Sequence, residues 1–227
     1  MSTYLKLVQD LHAEVGAAGV APTTVVSQTG EALRLVNWVR RADQYVQLKW
    51  VNWKFLRQTF TTANTTTASV ATLAKPANLK SWDFKTFTII EPGETDKNPL
   101  GSIEYDKIKR EILDTSEDIP SRVIVMPDNS LLFEPIPDAV YTINADYWDK
   151  PTLLAADANV SLIPVEFHEV ILGRAMILYA NHENAPEIKD QGAEIYVEQL
   201  ALLENSQLPN QEESRFTTGA MIEVIAE

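Results

Sequence analysis

Cysteine is absent from the 227 residues, so the chain holds no disulfide framework, thiolate metal centre or cysteine nucleophile. Histidine is scarce, with three copies. His168-Glu169 opens like the zinc motif HExxH, yet Leu172 stands where the second imidazole would have to face the same metal. A continuous helix would set His168 and His182 roughly 20 Å apart at about 1.5 Å of rise per residue, too far to share an ion. Among the eight glycines none sits in a Gly-Lys-Ser/Thr, Gly-x-Gly-x-x-Gly or Gly-x-Ser-x-Gly sequence, which removes the P-loop, the dinucleotide fingerprint and the nucleophile elbow. No apolar run approaches the roughly 20 residues that span a bilayer. MSTYLKLVQDLHAEV has acids and helical spacing where a secretory leader has an unbroken apolar core. Thirty-two acids guarantee carboxylate pairs by chance, so such pairs are no argument for a glycosidase. The chain is therefore expected to be non-enzymatic, with no cofactor, no metal and no membrane partner.

What is present is a globular composition, 45% hydrophobic, with a net charge of -13 that is unevenly placed. From Glu31 to Arg57 six bases face two acids, a local balance of +4, whereas from Glu183 to the end ten acids face two bases, a balance of -8. Such opposed stretches could pair between copies in a head-to-tail ring, or simply solvate two helix faces.

Helical period dominates both ends of the chain. Thr3 can cap a helix running to Val15, with Leu5, Val8, Leu11, His12 and Val15 on one face and Gly16 and Gly19 to stop it. After a polar loop, Glu31 to about Trp50 carries Ala32, Leu35, Val36, Val39, Ala42, Val46 and Trp50 on one stripe. From Pro164 to about Asn181 the apolar face is Val165, His168, Ile171, Leu172, Ala175, Leu178 and Tyr179, and a last helix restarts at Ala185-Pro186 and runs to about Glu204. Between them the pattern is extended. Gln58 to Ala71 reads as an exposed strand or hairpin, DFKTFTIIEP as a buried strand and DKIKREI as a short helix. RVIVM, SLLFEP and AVYTINADYW follow as three strands of a meander, with Pro135 and Pro137 favouring an edge. The expected fold is α+β: a helical bundle built from residues 1–56 and 164–204, a β-rich insertion (57–163) between helices two and three, and an extended C-terminal tail (205–227).

The candidate interaction residues are large rings and cations near the end of the second helix, Trp38, Arg40, Arg41, Trp50 and Trp53, together with the apolar tail residues Phe216, Met221, Ile222, Val224 and Ile225. Each tryptophan reads as a core residue or as part of a subunit contact. The cations interleaved with rings also suit a nucleic-acid-binding module, although a pI near 4.7 opposes one. The tail has no helix of its own left to cover, so it either folds back as an edge strand or docks on another chain.

As a set, YLKLVQDLHAEVGAAGVAPTTVVSQTGEALRLVNWVRRADQYVQLKWVNWKFLR, LLFEPIPDAVYTINADYWDKPTLLAADA and IPVEFHEVILGRAMILYANHENAPEI resemble the head-to-tail adaptor (connector, head completion) proteins of tailed bacteriophages, in the branch with a β-rich insertion. The resemblance runs from Thr3 to about Pro209. It implies a structural subunit of the virion neck, assembled in the host cytoplasm as a ring, commonly a dodecamer, beneath the portal protein. Such a ring extends the DNA channel, touches the genomic DNA in passing and presents a platform to tail or nozzle proteins. Another tail or baseplate structural role is the principal alternative.

Overall fold

The computed structural model describes residues 2–109 and 113–209. It has both helices and sheets, the α+β class. Among the described residues the helices are α1 (Tyr4–Glu14), α2 (Gly30–Lys49), the single turn α3 (Tyr105–Ile108), α4 (Glu169–Glu183) and α5 (Pro186–Gln207). The chain divides into two units, one taking in residues up to 55 and from 151 onward, the other residues 56–150.

In the first unit, α1 begins where Thr3 Oγ1 accepts from Lys6 N (3.3 Å) and ends in a left-handed Gly16 (φ 59°). There Gly16 N donates to Ala13 O and Ala17 N to His12 O, satisfying carbonyls that the helix leaves open. Val8, Leu11 and Val15 are buried as expected, while Tyr4, whose hydroxyl donates to Val36 O of α2 (2.7 Å), and Leu7 are buried in place of Leu5 and His12. Helix α2 buries Leu35, Val36, Val39, Ala42 and Val46 as expected, and also Trp38, Asp43 and Gln47. Helix α4 is apolar on most sides, burying Val170, Ile171, Leu172, Ala175, Met176, Tyr179 and Ala180, as befits a helix in contact with α1, α2 and α5. It is preceded by a short 3-10 turn (Val165–Phe167), which leaves Val165 half exposed.

Helices α4 and α5 cross at two glycines. A Cβ on Gly173 would lie 2.7 Å from Tyr196 N and 2.9 Å from Gly192 O, and one on Gly192 would lie 2.8 Å from Met176 Cβ. The backbones therefore touch, which explains why α5 buries only Gly192, Leu200 and Leu203 of its own residues. Ile188, Ala193, Ile195 and Tyr196 are only partly covered.

Residues 151–163 belong to this helical unit, so the β-rich unit closes at Lys150, earlier than the expected boundary at 163. Hydrogen bonds hold the segment there: Tyr4 N donates to Asn159 O (2.7 Å) and Leu5 N to Asp157 O, capping the open first turn of α1. The Asp157 carboxylate accepts from Thr24 Oγ1 (2.9 Å) and Val25 N (2.5 Å) in the loop between α1 and α2.

The second unit contains short strands: β1 (Arg57–Thr59), β2 (Thr72–Leu73), β3 (Leu79–Trp82), β4 (Thr88–Ile90), β5 (Asn98–Pro99) and β6 (Gly101–Glu104). They are followed by β7 (Glu117–Asp118), β8 (Arg122–Val125), β9 (Leu131–Glu134), β10 (Ile136–Pro137), β11 (Thr142–Asn144) and β12 (Asp146–Asp149). Sheet orders are β1-β12-β3, β11-β4-β5, β2-β9-β8-β6 and β10-β7. The expected β8–β9 hairpin forms, with Val123 opposite Phe133 and Val125 opposite Leu131.

The expected three-stranded meander does not form. AVYTINADYW splits into β11, which pairs with β4, and β12, which lies between β1 and β3. Pro135 and Pro137 lack the N–H groups needed to run back along β9, and Ile136 N donates instead to Ser116 O (2.9 Å) beside the parallel β7–β10 pair. The outer side of β9 is taken by β2 and that of β8 by β6, in parallel. Between Gln58 and Ala71 the hairpin expectation yields only the exposed β1 and isolated bridges. DFKTFTIIEP supplies β4 with Phe87 and Ile89 buried, and of DKIKREI the first three residues lie in α3 while Arg110, Glu111 and Ile112 lie outside the described residues. Trp82 is the hub of the β core, its ring 5.4 Å from Phe60, 5.5 Å from Phe87 and 5.7 Å from Tyr147, its Nε1–H donating to Asn129 O.

Candidate interaction surfaces

The aromatic candidates separate by burial. Trp53 is fully enclosed: its Nε1–H donates to Val46 O (3.1 Å) and its ring stacks on Phe55 at 5.3 Å, so it serves the helical core and offers no surface to a partner. Trp38 is buried on α2 with an edge-on contact to Tyr179 (5.6 Å) and His182 at 5.5 Å, which locks α2 to the second half of α4. Trp50, just past the end of α2, is 41% exposed and is the ring of the three that reaches solvent. With two of three rings inside, the mixture of rings and cations read as a base-stacking surface reduces to one tryptophan.

The cations separate as well. Lys49 pairs with Glu204 (3.0 Å), and Trp50 Nε1–H donates to the same carboxylate (2.8 Å). Partial burial raises Glu204, but these two hydrogen bonds and the Lys49 charge outweigh it and hold the carboxyl below its ordinary range. Arg57 is neutralised by Asp83 (3.0 Å) and Asp146 (2.8 Å). Arg40 and Arg41 are exposed, Arg40 donating to Asn37 Oδ1 on its own helix. The structure thus brings Trp50, Lys49 and Glu204 together at one end of α2, leaves Arg40 and Arg41 on its outer face, and takes Trp38 and Trp53 into the interior. Phe216, Met221, Ile222, Val224 and Ile225 lie outside the described residues.

Sequence reasoning missed one polar cluster. Asp43 is 1% exposed within the helical unit, its carboxylate accepting from Ser161 Oγ (2.5 Å) and Gln47 Nε2 (2.8 Å), with no ion pair to a cation among the described residues. Burial pushes its pKa up to about 6, against the lowering effect of the two hydrogen bonds. Ser161 Oγ also accepts from Ile163 N, so the cluster fastens residues 151–163 to α2. The signal was available, since Asp43 and Gln47 fall at i, i+4 and each directly follows a residue of the apolar stripe, Ala42 and Val46.

The histidines are apart. His168 is buried, its Nε2–H donating to Ile163 O (2.9 Å), and burial pushes its pKa down. His182 is exposed beside Glu183. Among the described residues no group of three or more His, Asp or Glu could hold a metal ion, and no helix is long and apolar enough to cross a membrane.

Comparison with curated proteins finds no match. Comparison with family models does: the SU10 adaptor protein model matches residues 2–221, nearly the whole chain, including both units. The chain belongs to the SU10 adaptor protein family of phage structural adaptors.

Proposed function

We propose that this protein is a ring-forming subunit of the phage neck, seated beneath the portal protein, that extends the DNA channel and joins the head to tail or nozzle proteins. The family match across residues 2–221 carries this reading. The fold agrees with it: a helical unit drawn from both ends of the sequence carries a β-rich insertion, and its chemistry is association. The ring is a homo-oligomer, by family resemblance a dodecamer, assembled in the host cytoplasm after packaging and retained in the virion. A net charge of -13 suits a lumen that touches DNA only in passing, because a basic channel would hold the duplex and slow genome ejection. Free subunits are monomers or small oligomers that close into a ring on the portal, and the tail residues Phe216 to Ile225 dock on the portal or on a neighbour.

Removing the gene from the phage tests the reading. DNA-filled heads that carry a portal but no tail are the expected product. Normally tailed, infectious particles from the deletion would refute it.

A further inference from the structure

Helices α2 and α5 each leave one face largely exposed, and the two faces are complementary. On α2, Arg34 and Arg41 are exposed and in no ion pair among the described residues. Beside them Tyr45 is 47% and Leu48 51% exposed. The Arg174 guanidinium lies 4.2 Å from the Tyr45 ring centroid and holds that ring in place, so little side-chain freedom is left to lose on docking.

On α5, Asp190, Glu194 and Glu198 are exposed and likewise in no ion pair among the described residues. Spaced at i, i+4 and i+8, they stand in one row, an arrangement that weakens a solitary helix by like-charge repulsion. Val197 (64% exposed) and Leu202 (49%) flank the row. Glu204 provides the contrast: it reaches the chain's own α2 and is paired with Lys49, whereas Asp190, Glu194 and Glu198 meet no cation among the described residues. The two rows also match in length, about 10 Å from Arg34 to Arg41 and about 12 Å from Asp190 to Glu198 along their axes.

We infer that the Arg34–Leu48 face of α2 in one copy docks on the Asp190–Leu202 face of α5 in the next, a heterologous contact repeated around a ring. The partner is a second copy of this chain, because one chain carries both halves and each half joins charge to exposed apolar surface of similar extent. The inference rests on the adaptor reading and names the subunit contact within it. Because exposed charges are screened at physiological salt, the contact is weak between free subunits and closes when the portal gathers them.

Charge reversal tests it in a phage lacking the gene, supplied with the full-length protein from a plasmid. R34E/R41E alone and E194R/E198R alone are each expected to lower the amount of protein in purified particles by about tenfold or more, since like charges then meet at every contact. Supplying both variants together should restore incorporation to within about threefold of wild type, because alternating copies meet opposite charges all round the ring. A chain carrying all four substitutions should do the same. Circular dichroism melts within a few degrees of wild type establish that each variant folds. Wild-type incorporation of either variant alone would overturn the inference and leave these faces solvated or lining the DNA channel, as would failure of both the mixture and the four-site chain. Absence of the wild-type protein itself from particles would refute the adaptor reading instead.

Discussion

Replacing Asp43 by asparagine should stabilise the helical unit at neutral and alkaline pH and cost it about 1 kcal/mol in mild acid, where the wild-type carboxyl is uncharged. The wild-type carboxyl is raised from 3.8 to about 6 on folding, mainly by burial. A folded pKa above the unfolded one means that the native state binds the proton more tightly. Wild-type stability from this group is therefore fully present below about pH 4 and is lost as the pH rises through 6. A shift of about two units at about 1.4 kcal/mol each comes to roughly 3 kcal/mol by pH 7 to 8. Asparagine carries no charge to desolvate, still accepts from Ser161, and offers an N–H to Gln47 Oε1, a buried atom with no partner among the described residues. The imperfect geometry of new hydrogen bonds takes back about 1 kcal/mol. At pH 8 the net gain is about 2 kcal/mol, or roughly 4–8 °C in melting temperature for a chain of this size. Far-UV circular dichroism melts from pH 4 to 8, read as the difference between the two proteins, isolate the Asp43 contribution from every other titrating group. A difference that stays flat with pH, or an Asp43→Asn protein less stable than wild type at pH 8, would refute the argument by showing that the carboxylate is not strained when ionised.

Gly173→Ala should destabilise despite the helix-propensity gain of about 1 kcal/mol, because the new Cβ meets backbone atoms at 2.7 and 2.9 Å that cannot rotate away. A net loss of about 1–2 kcal/mol is expected in urea unfolding, and a gain would mean that α4 and α5 separate easily. Asp157→Ala removes the acceptor for Thr24 Oγ1 and Val25 N and should cost about 2 kcal/mol, with faster amide exchange at Val25 as its local signature. Deleting residues 214–227 should leave the melting temperature of the isolated protein nearly unchanged while weakening its retention on portal rings in sedimentation. Unfolding of the truncated chain would make the tail part of the domain instead.

The helices were legible because their ends are chemically marked: Thr3 caps α1, Gly16 ends it in the left-handed region, and Pro186 occupies the first turn of α5. The β8–β9 hairpin was legible for a similar local reason, two short unbroken apolar runs about a Pro-Asp-Asn turn. The partners of β11 and β12 were not, since β4, β1 and β3 lie far back in the chain and two-to-four-residue strands carry too little pattern to fix register. Asp43 went unnoticed because charge masks burial on a helical stripe, and Trp53 stayed open between core and interface because a ring near a helix end suits both. The Gly173–Gly192 crossing had a signal that went unused, a lone glycine inside each of two helical patterns. For the interaction surface, the sequence displayed the opposed charge of the two ends, but which charges remain unpaired depends on contacts such as Lys49–Glu204 and Arg57–Asp146 that only the fold supplies.

The most direct test of the adaptor account is electron cryomicroscopy of the purified virion, reconstructed about its portal vertex. The account predicts a closed ring of copies of this chain stacked on the tail side of the portal, coaxial with the DNA channel. Density for the chain found only in the capsid shell or the baseplate, with the portal joined to the tail by other proteins, would contradict it.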